Sequence, residues 1–149
     1  MINDNLKLRG DVALVLKDKN GNIKETREIN NLVVTAGLTF ICSRMAAASA
    51  GVMSHMALGS STTAAAAGQT DLVSILGSRE ALDSTNASAN TIVYVSSFEA
   101  GEGTGAVTEA GIFNASTAGT MLCRTVFAVV NKQADDTMSV TWTITLSAS

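Results

Sequence analysis

From Thr137 to Ser147 the chain alternates without a break. Met138, Val140, Trp142, Ile144 and Leu146 fall on one side; Ser139, Thr141, Thr143, Thr145 and Ser147 fall on the other. Successive strand residues point to opposite faces of a sheet, so this pattern has period two, with one face to bury. The other face carries only hydroxyls, which suits either water or a partner subunit. A strand patterned this way needs a second apolar layer, and the rest of the chain must supply it.

Other segments carry the same pattern. Leu6 to Lys17 places Leu6, Leu8, Val12, Leu14 and Leu16 opposite Lys7, Arg9, Asp11 and Lys17. Lys19-Asn20-Gly21-Asn22 follows, and Asn-Gly predicts a type I′ hairpin turn, which needs two residues at positive φ. The return strand, Ile23 to Ile29, carries Lys24, Glu25, Arg27 and Glu28. It reads as an edge strand whose charges discourage strand-on-strand aggregation. Thr91 to Glu99 is β-branched and aromatic. Ala106 to Asn114 and Gly119 to Asn131 form a hairpin around Ala115-Ser116-Thr117-Ala118. Pairing Asn114 with Gly119 puts Thr108 opposite Thr125, Val107 opposite Val126 and Glu109 opposite Arg124.

The middle of the chain is less regular. After the apolar run Leu32-Val33-Val34, Thr35 is a candidate helix cap. Leu38, Ile41, Cys42 and Met45 then follow at helical spacing, with Ala46 to Ala50 continuing to Gly51. This helix is expected to lay that stripe on a sheet. Met53 to Leu58 is a candidate strand, Thr70 to Leu76 a candidate helical turn, and Arg79 to Leu82 a short strand. Gly59 to Gly68 is small and of low complexity. It and Met1 to Asn5 are candidate arms that order on binding. Long irregular regions such as 59–90 are usually functional or disordered, and in a structural protein contact with a neighbour is the expected role.

At 149 residues one domain spanning 1–149 is expected, and a fold of this length buries about 68–70% of its unfolded surface. The fold class is mainly β: a two-sheet antiparallel β-sandwich of seven or eight strands with one short helix, a jelly roll being one arrangement of it. Charged residues are 15% of the chain, against a usual ~25%, so much of the surface is Ser, Thr, Asn, Gly and Ala. The net charge is −3 with no Lys/Arg run, which argues against direct nucleic-acid binding. No apolar stretch approaches the ~20 residues of a membrane span, and Met1 to Asn5 is no signal peptide.

Catalytic chemistry finds little support. His55 is the only histidine, and no spacing selects a nucleophile or an orienting carboxylate for it. Gly101-Glu102-Gly103-Thr104-Gly105 departs from the phosphate-loop fingerprint at Ala106, and strand chemistry rather than a helix follows. Asp135-Asp136 lacks the alternating carboxylates and closing Glu of a calcium loop. Asn86-Ala87-Ser88 and Asn114-Ala115-Ser116 match the glycosylation sequon, which has meaning only in a secreted chain. Cys42 and Cys123 sit among apolar neighbours and are read as buried free thiols. No cofactor, metal or catalytic residue is expected, and the chain is read as a non-enzyme. The charges that stand out are Glu109 and Arg124, each inside an otherwise apolar strand. They are read as a structural ion pair that sets strand register, with a ligand or subunit contact as the alternative.

Three blocks together resemble a known class. They are Asn31-Leu32-Val33-Val34-Thr35-Ala36-Gly37 with His55 to Ala64; Thr108 to Asn114 with Met121 to Phe127; and Val130-Asn131-Lys132 with Val140 to Thr145. They resemble small structural proteins of tailed-bacteriophage particles, over roughly four-fifths of the chain. The resemblance implies a capsid decoration or cement protein in the virion, made and assembled in the host cytoplasm. Its partners would be the major capsid protein and copies of itself. A tail, collar or fibre-attachment protein, bound to a tail protein, is the second reading, and a carbohydrate-binding module the third. No catalytic residues come with the resemblance.

Overall fold

The computed structural model describes residues 5–46 and 50–148. Its strands are β1 (Leu6–Lys17), β2 (Ile23–Asn30), β3 (Leu32–Val33), β4 (His55–Gly59), β5 (Glu80–Ala81), β6 (Ser84–Ser88), β7 (Thr91–Phe98), β8 (Gly105–Phe113), β9 (Met121–Lys132) and β10 (Thr137–Ala148). The helix, α1 (Thr35–Arg44), lies between β3 and β4. The protein is mainly β, with 54% strand and 7% helix, in two antiparallel five-stranded sheets. One has the order β2-β1-β10-β7-β6 and the other β3-β9-β8-β4-β5.

The expected alternation explains the first sheet. β10 lies between β1 and β7, with Trp142 opposite Val12 and Tyr94, Val140 opposite Leu14, and Met138 opposite Leu16 and Phe98. All of these side chains are buried, and Trp142 and Phe98 fully so. They meet Met56, Leu58, Ala110, Ile112 and Cys123 of the second sheet to form the main core. The outward rows of the first sheet are small and uncharged on β10, β7 and β6, while β1 and β2 add Lys7, Arg9, Asp11 and Glu28. Ala13, Thr141, Val95 and Ser84 form one row, and Asp11, Thr143, Val93 and Asn86 the next.

Around β4, β8 and the first half of β9 the second sheet is buried on both faces, which the sequence did not announce. Its outer side holds a second cluster of Val34, Ala57, Leu72, Phe113 and Met121. Residues 60–79 cover that side, so β4 and β8 read as continuous buried runs rather than alternating ones.

Several expectations are corrected. The β1–β2 hairpin is not type I′, because only Gly21 has positive φ, at 82°. The Gly21 N–H donates to Asp18 O, while the Asp18 carboxylate accepts from the N–H groups of Asn20 and Asn22. That side chain stabilises a type I turn closed by a glycine bulge. The cap of α1 is Val34, one residue before Thr35, with no side-chain hydrogen bond. The helix docks through Gly37, Phe40 and Ile41, so of the expected stripe only Ile41 packs on the core. A Cβ on Gly37 would lie 2.2 Å from the Leu122 carbonyl oxygen, so only glycine permits this approach. Leu38 (49% exposed), Cys42 and Met45 (84% exposed) consequently face outward. Helical residues end at Arg44, short of the expected Ala50, and Ala47 to Ser49 lie outside the described residues.

Thr70 to Leu76 forms no helical turn, since its amides serve a side chain described below. β6 occupies part of a stretch read as loop. Ser84 to Ser88 is wholly exposed and carries no apolar periodicity, and its pairing to β7 alone makes it a strand.

Candidate functional site

Glu109 and Arg124 do meet, by a register two residues away from the expected one. Glu109 lies opposite Val126, and Arg124 lies opposite Gly111, with a bulge between Val107 and Glu109. A slip of two keeps every side chain on its face, so the two charges remain diagonal neighbours. Both side chains are fully buried, on the outer face of the second sheet beneath residues 60–79. Arg124 Nε donates to Glu109 Oε2 at 2.9 Å, with Nη2 2.8 Å from the same oxygen.

The carboxylate also organises the covering loop. Its Oε1 accepts from the N–H groups of Ser61 (3.3 Å) and Ser74 (2.8 Å), and Oε2 accepts from that of Val73 (3.1 Å). Arg124 Nη1 donates to Gln69 Oε1 at 3.0 Å. Gln69 in turn accepts from the Ala66 N–H and donates to the Ala64 carbonyl. Thr108 Oγ1 donates to Ser61 O at 2.9 Å. Gly59 leaves the necessary room, since a Cβ there would lie 2.4 Å from Glu109 Oε1. Small, polar residues 60–76 therefore form a fitted cover, and Gly59 to Gly68 is not a free arm. The other candidate arm, Met1 to Asn5, lies outside the described residues except for Asn5.

Arg79 fastens the far end of the cover. Its guanidinium stacks 3.6 Å from the Phe113 ring centroid and donates to the carbonyls of Ala115 and Ala118. A cation over an aromatic face, removed from water, is held more strongly than at the surface. The Glu109 carboxylate and the Arg124 guanidinium are both engaged by neighbours within the chain. The arrangement is a clamp that closes a loop on a sheet.

A second buried charge group was missed in the sequence. Lys132 Nζ donates to the carbonyls of Glu99 and Asp136, at 2.9 and 2.6 Å, and tethers the β9–β10 loop to the end of β7. Burial pulls its ammonium below the ordinary lysine range, opposed by the charges of Asp136, Glu102 and Glu99. Asp136 Oδ2 accepts from Lys24 Nζ at 2.7 Å and from the Gln133 N–H. That lysine hydrogen bond, more than any other contact, holds the Asp136 carboxyl below the usual carboxylate range. The signal was available: Lys132 follows Val130 by two residues and so shares its inward face.

The remaining singled-out residues have structural placements. His55 opens β4, with Nδ1 2.8 Å from Ser54 Oγ. Gly101, Gly103 and Gly105 take positive φ in the β7–β8 turn, Gly103 against Leu58 and Gly105 against Leu76. Asn114 Oδ1 accepts from the Thr120 N–H and closes the β8–β9 loop. Cys123 is buried as expected, whereas Cys42 is exposed, a consequence of the rotated helix. Among the described residues no three His, Cys, Asp or Glu side chains gather as a metal site, and no helix is long and apolar enough to cross a membrane.

What fold and site define is a class: a mainly β, two-sheet sandwich with one sheet clamped under a loop and the other presenting an open face. No family model, curated protein or solved structure matches the chain.

Proposed function

We propose that this protein is a structural component of a tailed-bacteriophage particle, a capsid decoration protein present in many copies that bridges major capsid subunits. The observation that carries this reading is the open face of the first sheet. Thr141, Thr143 and Thr145 form its central line, flanked by Val95, Val93 and Thr91 on β7 and by Ala13, Asp11 and Arg9 on β1. The β10–β7 half of this face is small-residued and free of charge, while Arg9, Asp11 and Glu28 edge it on β1 and β2. That half loses little hydration on contact and suits repeated attachment to a regular lattice, where modest contacts add up by avidity. The buried charges are consistent with this role, since they tie loops to sheets. The residue resemblance noted above points the same way.

The test is copy number in purified particles, read by quantitative mass spectrometry against the major capsid protein, for wild type and Thr143→Arg. One copy per capsid subunit, or a simple fraction of that, with loss on the variant, is the expected result. A handful of copies per particle moves the protein to the tail, and absence from particles overturns the reading.

A further inference from the structure

The edge strand β2 carries a charge order that reads the same on a second copy of itself. It pairs only with β1 among the described residues, and its other edge is open. Lys24-Glu25-Thr26-Arg27-Glu28 is self-complementary when two copies run antiparallel about Thr26. Glu25 then lies opposite Arg27 of the second copy, and Arg27 opposite the second copy's Glu25. Lys24 and Glu28 meet at the ends of this stretch, where the β1–β2 ladder shifts register beside Lys24. Ile23, 63% exposed here, lies opposite Ile29. We propose that the protein forms a two-fold dimer by β2–β2 pairing about Thr26, which joins two first sheets into one ten-stranded sheet.

The register is selective. A two-fold axis normal to the sheet keeps both open faces on one side, and it must pass through a residue, because opposed strand residues share a face. Moving the axis to residue 25 sets Glu25 against itself, and moving it to residue 27 sets Arg27 against itself. Residues 24 and 28 do the same with Lys24 and Glu28. Like charges directly opposite destabilise a strand pair and opposite charges stabilise it. Among these central axes only the one at Thr26 has no such clash, and axes at Ile23, Ile29 or Asn30 would leave most of β2 unpaired. The charges thus guard the edge against indiscriminate pairing while admitting one partner in one register. Glu25 and Arg27 already form an ion pair with each other, partly exposed at the margin of the sandwich. A second copy would close them into a ring of four alternating charges. β6, the opposite edge, reads Ser84-Thr85-Asn86-Ala87-Ser88 and has no comparable register preference.

The inference adds self-association to the proposed function and does not rest on it, and its test needs no particle. An edge of eight residues buries less than a standard interface, so the association is measured by sedimentation up to about 100 μM. A dimer that weakens with salt is expected. Arg27→Glu should weaken it by about tenfold or more, and adding Glu25→Arg should restore it. Independently, in a Cys42→Ser background, Thr26→Cys should cross-link two copies under oxidation. Opposed Cα atoms lie about 4.5–5.5 Å apart, within disulfide reach. Glu28→Cys should not cross-link, since the two copies of residue 28 are offset by about 14 Å along the strand. A monomer at every concentration overturns the inference, as does cross-linking through Asn86→Cys on β6 instead of Thr26→Cys. Either result would leave particle attachment standing.

Discussion

Replacing Glu109 by glutamine tests the clamp most directly. Around the carboxylate the structure places donors only: the amides of Ser61, Val73 and Ser74 and the Arg124 guanidinium. A carboxamide keeps the shape, but in either orientation it turns its own NH2 toward donors. It also removes the negative charge from a fully buried guanidinium, whose remaining partner is Gln69. Breaking a buried pair by removing one member costs about 3–5 kcal/mol. Total stability for a domain is about 5–15 kcal/mol, so this is a large fraction. Near 150 residues each kcal/mol moves the melting temperature by about 2–4 °C, which gives a fall of about 6–20 °C. The single, fully buried Trp142 reports unfolding by fluorescence in urea and on heating. The loop has its own reporter, because Arg79 is the one trypsin site between residues 59 and 90 and is stacked on Phe113. Wild type should resist cleavage there while folded, and Glu109→Gln should be cut. A variant that melts within 2 °C of wild type (less than about 1 kcal/mol) and stays uncut at Arg79 would refute the clamp.

Three further outcomes follow from particular contacts. Under native conditions one thiol per chain should react with a disulfide reagent, namely the exposed Cys42, while burial pushes the Cys123 thiol well above its ordinary range; two fast thiols in the folded protein would contradict that placement. Gly37→Ala drives a methyl group into the Leu122 backbone and should cost about 1–3 kcal/mol by denaturant unfolding, whereas Ala36→Gly on the same turn should cost less. Asp136 has a folded pKa below its unfolded value of about 3.9, so its contribution is present above about pH 4 and is lost as pH falls through the folded value. The melting-temperature gap between wild type and Lys24→Met should therefore shrink on acidification, and a constant gap from neutral to acid pH would rule the linkage out.

Some of this protein is legible in its sequence, and some is not. The strands β1, β7, β8, β9 and β10 are local in origin, because period-two patterning and β-branched composition are visible in a short window. The meeting of Glu109 with Arg124 is legible for the same reason. Two isolated charges in facing apolar strands have few places to go, and a two-residue error in register leaves them on one face. Their burial and their hold on the loop are not legible. Nothing in Ser60 to Leu76 announces that its amides will be taken up by a carboxylate 35 or more residues away.

Sequence alone determined the class of fold, the inward set of the first sheet apart from the exposed Leu6, the charged edge β2 and the pairing of Glu109 with Arg124, all of which depend on alternation and charge sign. Tertiary structure decided the rest: the face α1 presents, the exposure of Cys42, the strand β6, the type of the β1–β2 turn, and the cover that buries β4, β8 and the first half of β9 on both faces. Each depends on backbone approaching backbone, as Gly37 does on Leu122, or on amides finding a distant acceptor. Such contacts are made between segments far apart in the chain and leave no periodic trace in either one.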